Sequence, residues 1–152
     1  MRCHLIAVGR SKAGPERQIL ELYAKRLSPS LTLLEVEEKR PLPEAQLKER
    51  EAELLLAALP KGALLVLLDE HGKTLSSQGF AEKLGHWRDH GVADLAFAIG
   101  GAAGHGSAAR ARADFTLSLG PMTWPHMLVR GMLAEQLYRG FSILAGHPYH
   151  RE

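Results

Sequence analysis

The run Ala63-Leu64-Leu65-Val66-Leu67-Leu68 is apolar at every position and shows no alternation between two faces. A strand with one wet face alternates, so this one must be covered on both sides, which places it at the centre of a parallel sheet flanked by helices. The rest of the chain fits that demand, because strand-like and helix-like segments take turns. Strands are expected at Cys3–Val8, Leu31–Val36, Leu95–Ile99 and Phe115–Leu119. Helices are expected at Pro15–Leu27, Glu44–Leu59, Ser76–His90, Ser107–Ala113 and Met127–Leu144. In the first, Ile19, Leu20, Tyr23 and Leu27 recur at helical spacing, and Pro15 suits a first-turn position. In the second, Leu47, Leu54, Leu55 and Leu59 turn inward beneath a charged outer face. The fold class is therefore α/β, a mostly parallel sheet with helices on both faces.

At 152 residues and 45% hydrophobic content the chain fits one domain, residues 1–152, around a real core. A formal charge of +2 demands no nucleic-acid partner, yet permits one where basic residues cluster. Met1–His4 runs straight into Leu5–Val8, too short for a signal sequence, and no apolar run reaches the roughly 18 residues of a membrane span. The lone cysteine, Cys3, cannot form an internal disulfide and reads as a buried thiol, which favours a cytoplasmic location. The last helix is apolar around much of its girth, through Met127, Leu128, Val129, Met132, Leu133, Leu137 and Phe141. One face of a small sheet covers a narrower stripe, so a second copy in a twofold dimer is expected, against burial within its own chain.

Chemistry concentrates at strand ends. Leu119-Gly120-Pro121-Met122-Thr123-Trp124-Pro125-His126 is rigid and non-helical, and joins a strand to the longest helix, where α/β proteins bind ligands. Gly100-Gly101-Ala102-Ala103-Gly104-His105-Gly106 is a second such turn, whose glycines let a ligand approach the backbone. Its Gly104–Ala109 segment satisfies G-x-G-x-x-A, but a dinucleotide site needs further βα units and an acidic strand end that do not follow. Gly72-Lys73-Thr74 resembles the tail of a P-loop, but Leu67 stands where the first glycine belongs, so a surface loop is expected. His147 and His150 lack the further ligands of a metal site, and none is expected. The tail His147-Pro148-Tyr149-His150-Arg151 instead suits phosphate contact and base stacking, and Arg130 and Arg139 on the preceding helix extend a basic face. Arg139 also stands four residues from Glu135, with which it can pair.

Four ordered blocks carry a resemblance over nearly the whole chain: Ala98-Ile99-Gly100-Gly101, Met122–His126, Ala134-Glu135-Gln136-Leu137-Tyr138-Arg139 and Pro148–Glu152. The sequence closely resembles the RlmH (YbeA-like) family of the SPOUT methyltransferase superfamily. That resemblance implies a homodimer with a C-terminal trefoil knot, which uses S-adenosyl-L-methionine to methylate N3 of a pseudouridine in helix 69 of 23S rRNA on the assembled ribosome. It implies a cofactor pocket formed by Leu68, Gly100, Leu119, Gly120, Pro121, Met122, Thr123 and Trp124. It further implies no metal, catalytic roles among His126, Arg139 and His150, and RNA contacts from Arg130, Arg139, Tyr149, His150 and Arg151, beside the pocket. Ala102-Ala103 and Gly120-Pro121 depart from what relatives often carry, and bear on loop detail. A ribosome-binding factor without chemistry and a dinucleotide-dependent oxidoreductase are the competing readings.

Overall fold

The computed structural model describes residues 1–151, with side chains as far as His150. In chain order the elements are β1 (Arg2–Val8), α1 (Pro15–Arg26), β2 (Thr32–Val36), α2 (Glu44–Ala57), β3 (Leu64–Thr74), α3 (Ser77–Asp89), β4 (Asp94–Ile99), α4 (Ser107–Arg112), β5 (Phe115–Ser118) and α5 (His126–Leu144), closed by a 3₁₀ turn at Pro148–Arg151. The five strands form one sheet in the order β2-β1-β4-β3-β5, and every pairing is parallel. The chain lays down β1 and β2, jumps to β3, and then inserts β4 between β1 and β3. A crevice at the carboxyl ends of strands is the expected product of such a reversal.

The strand side chains explain the layers. Leu5, Val66, Leu68, Phe97 and Ile99 face one side, where α1, α3 and α5 cover them with Leu20, Leu84, Leu133 and Leu137. Ile6, Leu65, Leu67, Ala96 and Ala98 face the other, under Ala52 and Leu55 of α2 and Ala109 of α4. The apolar run in β3 is buried from Leu65 to Leu68, and Cys3 is buried too, its thiol pushed up to about 12 by burial. Helix α1 starts at Pro15 as expected, and Ser76 caps α3 by accepting the Gly79 N–H at 2.9 Å.

Three expectations need revision. Gly72-Lys73-Thr74 is not a surface loop: β3 bulges over Asp69–Gly72 and then pairs with β5 again, Lys73 opposite Leu117 and Thr74 opposite Ser118. Gly72 is pressed so close to β5 that a Cβ there would lie 2.7 Å from the Thr116 carbonyl oxygen, which only glycine permits. Glu51 does not belong to the charged outer face of α2, since it is buried against the Gly101 turn. Lastly, α5 lies between α1 and α3, and these neighbours take up much of its apolar girth within the chain itself. Leu128, Val129, Met132 and Phe141 remain half-exposed.

Candidate cofactor cleft and catalytic site

The turns that leave β3, β4 and β5 meet at the carboxyl edge of the sheet and enclose a cavity of about 290 Å³. From β3 come Leu68, Asp69 and Glu70, and from the β4 turn Gly100, Gly101, Gly104 and His105. Leu119, Gly120, Met122, Thr123 and Trp124 follow β5, and His126 and Val129 close the wall from the first turn of α5. The volume lies near the lower end for small-ligand sites, about 300 Å³. Strand ends leave N–H and C=O groups without ladder partners, so backbone supplies much of the polar lining.

Side chains outside the expected set hold these turns together. His105 is 4% exposed, and its Nε2 meets the Leu68 carbonyl oxygen at 2.9 Å, which ties the β4 turn to β3. Nε2 therefore donates, and Nδ1 is an acceptor that finds no partner. Burial, with Arg110 and His126 nearby, pushes the ring below the usual histidine range despite that hydrogen bond and the charge of Asp69. At the rim Arg110 donates to Asp69 at 2.6 Å and, against the effect of burial, holds its carboxyl below the usual range. Ser118 donates to the Glu70 carbonyl at 3.0 Å and accepts the Gly120 N–H at 3.0 Å, which joins β3 to the β5 loop. Gly104 sits at φ +85°, a conformation L side chains rarely adopt. Beneath Gly101, Glu51 is pushed up by burial, and its Oε1 has no partner. Nothing in the sequence marked His105, Ser118 or Glu51, because only the fold shows which polar side chains lie under a turn.

The residues expected from the sequence divide into two groups. Leu68, Gly100, Leu119, Gly120, Met122, Thr123, Trp124 and His126 line the cavity, whereas Pro121 is exposed in the same loop and does not reach its wall. The second group gathers at the other end of α5. Tyr149 folds back so that its hydroxyl lies 3.1 Å from Glu135 and 3.3 Å from the Tyr23 hydroxyl, and its ring packs edge-on against Tyr138 at 4.7 Å. Burial and those two partners push its hydroxyl well above the usual tyrosine range. Arg139 pairs with Glu135 at 2.6 Å and stacks over the Tyr149 ring at 5.1 Å. His150 is half-buried in the same tail, and Arg151 has its side chain outside the described residues.

This grouping corrects two expectations. The tail does not lie beside the cleft of its own chain: Glu135, where Tyr149 is anchored, is nine residues beyond His126, about 14 Å along the helix. Arg130 is not on an exposed basic face with Arg139. It is 1% exposed and turned inward, bonded to Glu35 at 2.5 Å and to the Val8 and Gly9 carbonyls at 3.3 and 3.2 Å. Although burial opposes it, that guanidinium and the Ser11 N–H hold the Glu35 carboxyl below its usual range.

The cleft has the makings of a nucleoside-binding site, with apolar walls in Ile99, Leu119 and Val129 beside the backbone of three strand ends. Among the described residues no three His, Cys, Asp or Glu side chains converge as metal ligands, and no helix is long and apolar enough to cross a membrane. Comparison with known proteins matches residues 1–150 to the family described as "Predicted SPOUT methyltransferase". The chain is 62% identical over 151 residues to "Ribosomal RNA large subunit methyltransferase H" of Paramagnetospirillum magneticum, with 99% of each chain covered. It is 59% identical to the protein of that name from Rhodospirillum centenum and 56% to that from Rhodospirillum rubrum, at the same coverage.

Proposed function

The chain belongs to the SPOUT methyltransferase family, and on that premise we propose that it methylates N3 of a pseudouridine in helix 69 of 23S rRNA, with S-adenosyl-L-methionine as donor, as a cytoplasmic homodimer. The observation that carries this reading is the meeting of three strand-end turns around one cavity with the exposed His126 in its wall. The backbone of Leu68, Gly100 and Leu119–Trp124 would hold the cofactor, with His105 keeping the first two turns together.

The cofactor supplies a methyl group already activated by its sulfonium. What remains for the protein is to hold donor and base in line, and good positioning supplies roughly 7–11 kcal/mol. The N3 proton must also leave, and a positioned base adds about 10²–10⁴-fold. His126, in the wall of the cleft, and His150, in the tail, are the residues suited to accept it. Arg139 would favour the N3 anion or grip a phosphate, Tyr149 would stack on the displaced base, and Arg151 would add a phosphate contact.

A second copy is what brings these groups to the cleft. An apolar groove lined by Ile19, Leu75, Leu128 and Met132 runs from Leu119 and Gly120 of the cleft loop to Tyr23 and Glu135 of the tail cluster. A partner seated there in twofold symmetry would exchange tails, each presenting Arg139, Tyr149 and His150 to the other's cleft. The trefoil knot that the resemblance implies belongs to the same C-terminal third.

The test is mass mapping of methylated nucleotides in ribosomes after incubation with the protein and labelled cofactor. Label confined to one pseudouridine of helix 69 supports the reading. Label elsewhere, or none while calorimetry detects no cofactor binding, sinks it.

A further inference from the structure

The first turn of α5 serves two cavities. His126 and Val129 face the cleft, whereas Met127 and Arg130 line a separate cavity of about 310 Å³, completed by Arg10, Ser11, Lys12 and Arg17 of the β1–α1 segment. We propose that this second cavity binds a backbone phosphate of the RNA substrate, close to the nucleotide being modified. The inference rests on the RNA-methylating reading above.

Arg130 supplies the first argument. It lines this cavity; its Nη atoms are bonded to Glu35 and to two carbonyls, and its Nε–H is buried without a partner. An unmet charged donor is costly, and a small shift of the side chain toward an anion in the cavity would give it a partner. The ends of Arg10, Lys12 and Arg17 supply the second. Arg10 meets Glu37 only at 3.5 Å and Arg17 meets Glu21 at 3.0 Å, both solvent-exposed pairs of the kind worth little and easily exchanged. Lys12 is exposed and makes no ion pair among the described residues. Among the described residues Glu16 is the only acidic side chain lining the cavity, with Glu35 behind it, bonded to Ser11 and Arg130.

The backbone adds a third. Glu16 and Arg17 of the first turn of α1 line the cavity, and no side chain caps that helix, so its N-terminal end lies close by with Glu16 as the one acid of its first turn. The Ser11 N–H donates to Glu35 at 2.7 Å, which fixes the β1–α1 segment against the same carboxylate that holds Arg130. The position suits a substrate strand. Only the width of α5, about 10–12 Å with side chains, separates the two cavities. A strand that drops one base into the cleft would run its neighbouring phosphates past Lys12.

Lys12→Ala and Arg10→Ala change exposed side chains and should leave folding intact, which Arg130→Ala would not. With full-length protein and intact ribosomes, each variant should raise KM several-fold with little change in kcat. Each should also flatten the plot of log affinity against log salt by about 0.7–0.9, the signature of one lost phosphate contact. Calorimetry with S-adenosyl-L-methionine should give the same affinity in both variants as in wild type. Unchanged KM and salt slope in a double variant, with wild type active, would overturn the phosphate site alone. Wild-type protein that neither binds nor methylates ribosomes would overturn the RNA reading and this inference together. Inorganic phosphate binding that the double variant loses, while ribosome affinity holds, would assign the cavity to a free anion and overturn it as an RNA contact.

Discussion

The two ends of α5 are made of different materials. At His126 the site is a meeting of backbone turns, and side chains such as His105 and Ser118 act behind it as ties. At Tyr149 it is a network of side chains, Tyr23, Glu135, Tyr138 and Arg139, arranged on two helices and a tail. A backbone-built pocket depends on the path of the chain and tolerates many changes of residue type. A side-chain network depends on each member. On the proposed reading the first arrangement holds a cofactor that never varies, and the second contacts a large RNA surface that must be released after each turnover.

The largest expected effect tests whether the two ends do separate jobs. Arg139→Ala should lower rRNA methylation about 10²–10³-fold, as removal of one preorganised charge does elsewhere, while cofactor affinity stays within about twofold. Loss of both together would join the two ends into one site. At the backbone end, Gly104→Ala introduces a Cβ with nothing within 4 Å, so the φ of +85° alone is at issue. A cost of about 1–2 kcal/mol for that conformation predicts a loss of that size in urea unfolding, and weaker cofactor binding by calorimetry where the turn relaxes to escape the strain. Stability and affinity both equal to wild type would mean that the turn's conformation does not matter.

The ties should show in pH dependence. Because His105 is depressed below the usual range in the fold, its contribution to stability is complete above about pH 6.5 and is lost as pH falls toward the lower folded value. Denaturant midpoints of wild type should fall over that interval, and His105→Leu should flatten that part of the curve while weakening cofactor binding. A variant with the wild-type pH profile would remove His105 from this role. The smallest effect is expected from Tyr149→Phe, which keeps the ring over Arg139 but loses the hydroxyl's contacts with Glu135 and Tyr23. Stability should drop by about 0.5–1.5 kcal/mol, measured by urea unfolding, with cofactor binding unchanged.

Local pattern was enough to read the α/β alternation, the doubly covered β3, the Pro15 helix start and the two turns at Gly100 and Leu119–Trp124, while Leu68 came from the family resemblance. Each local reading depends on residues adjacent in sequence, whose periodicity or glycine and proline content acts over a few residues. The same reading put Gly72–Thr74 in a loop, because the strand that resumes there exists only where β5 lies against Gly72.

What the sequence by itself determined, then, is which segments become the strands of a parallel sheet and which turns have the freedom to approach a ligand. Tertiary structure alone decided the direction of each polar side chain: Arg130 inward to Glu35, His105 beneath Leu68, and Glu51 under Gly101. It also set the tail apart from the cleft. The physical reason is one of range. Periodicity reports how a residue relates to neighbours a few positions away, whereas a charge or hydrogen-bonding group is satisfied by partners, such as Glu35 for Arg130, that are close only once the sheet has assembled.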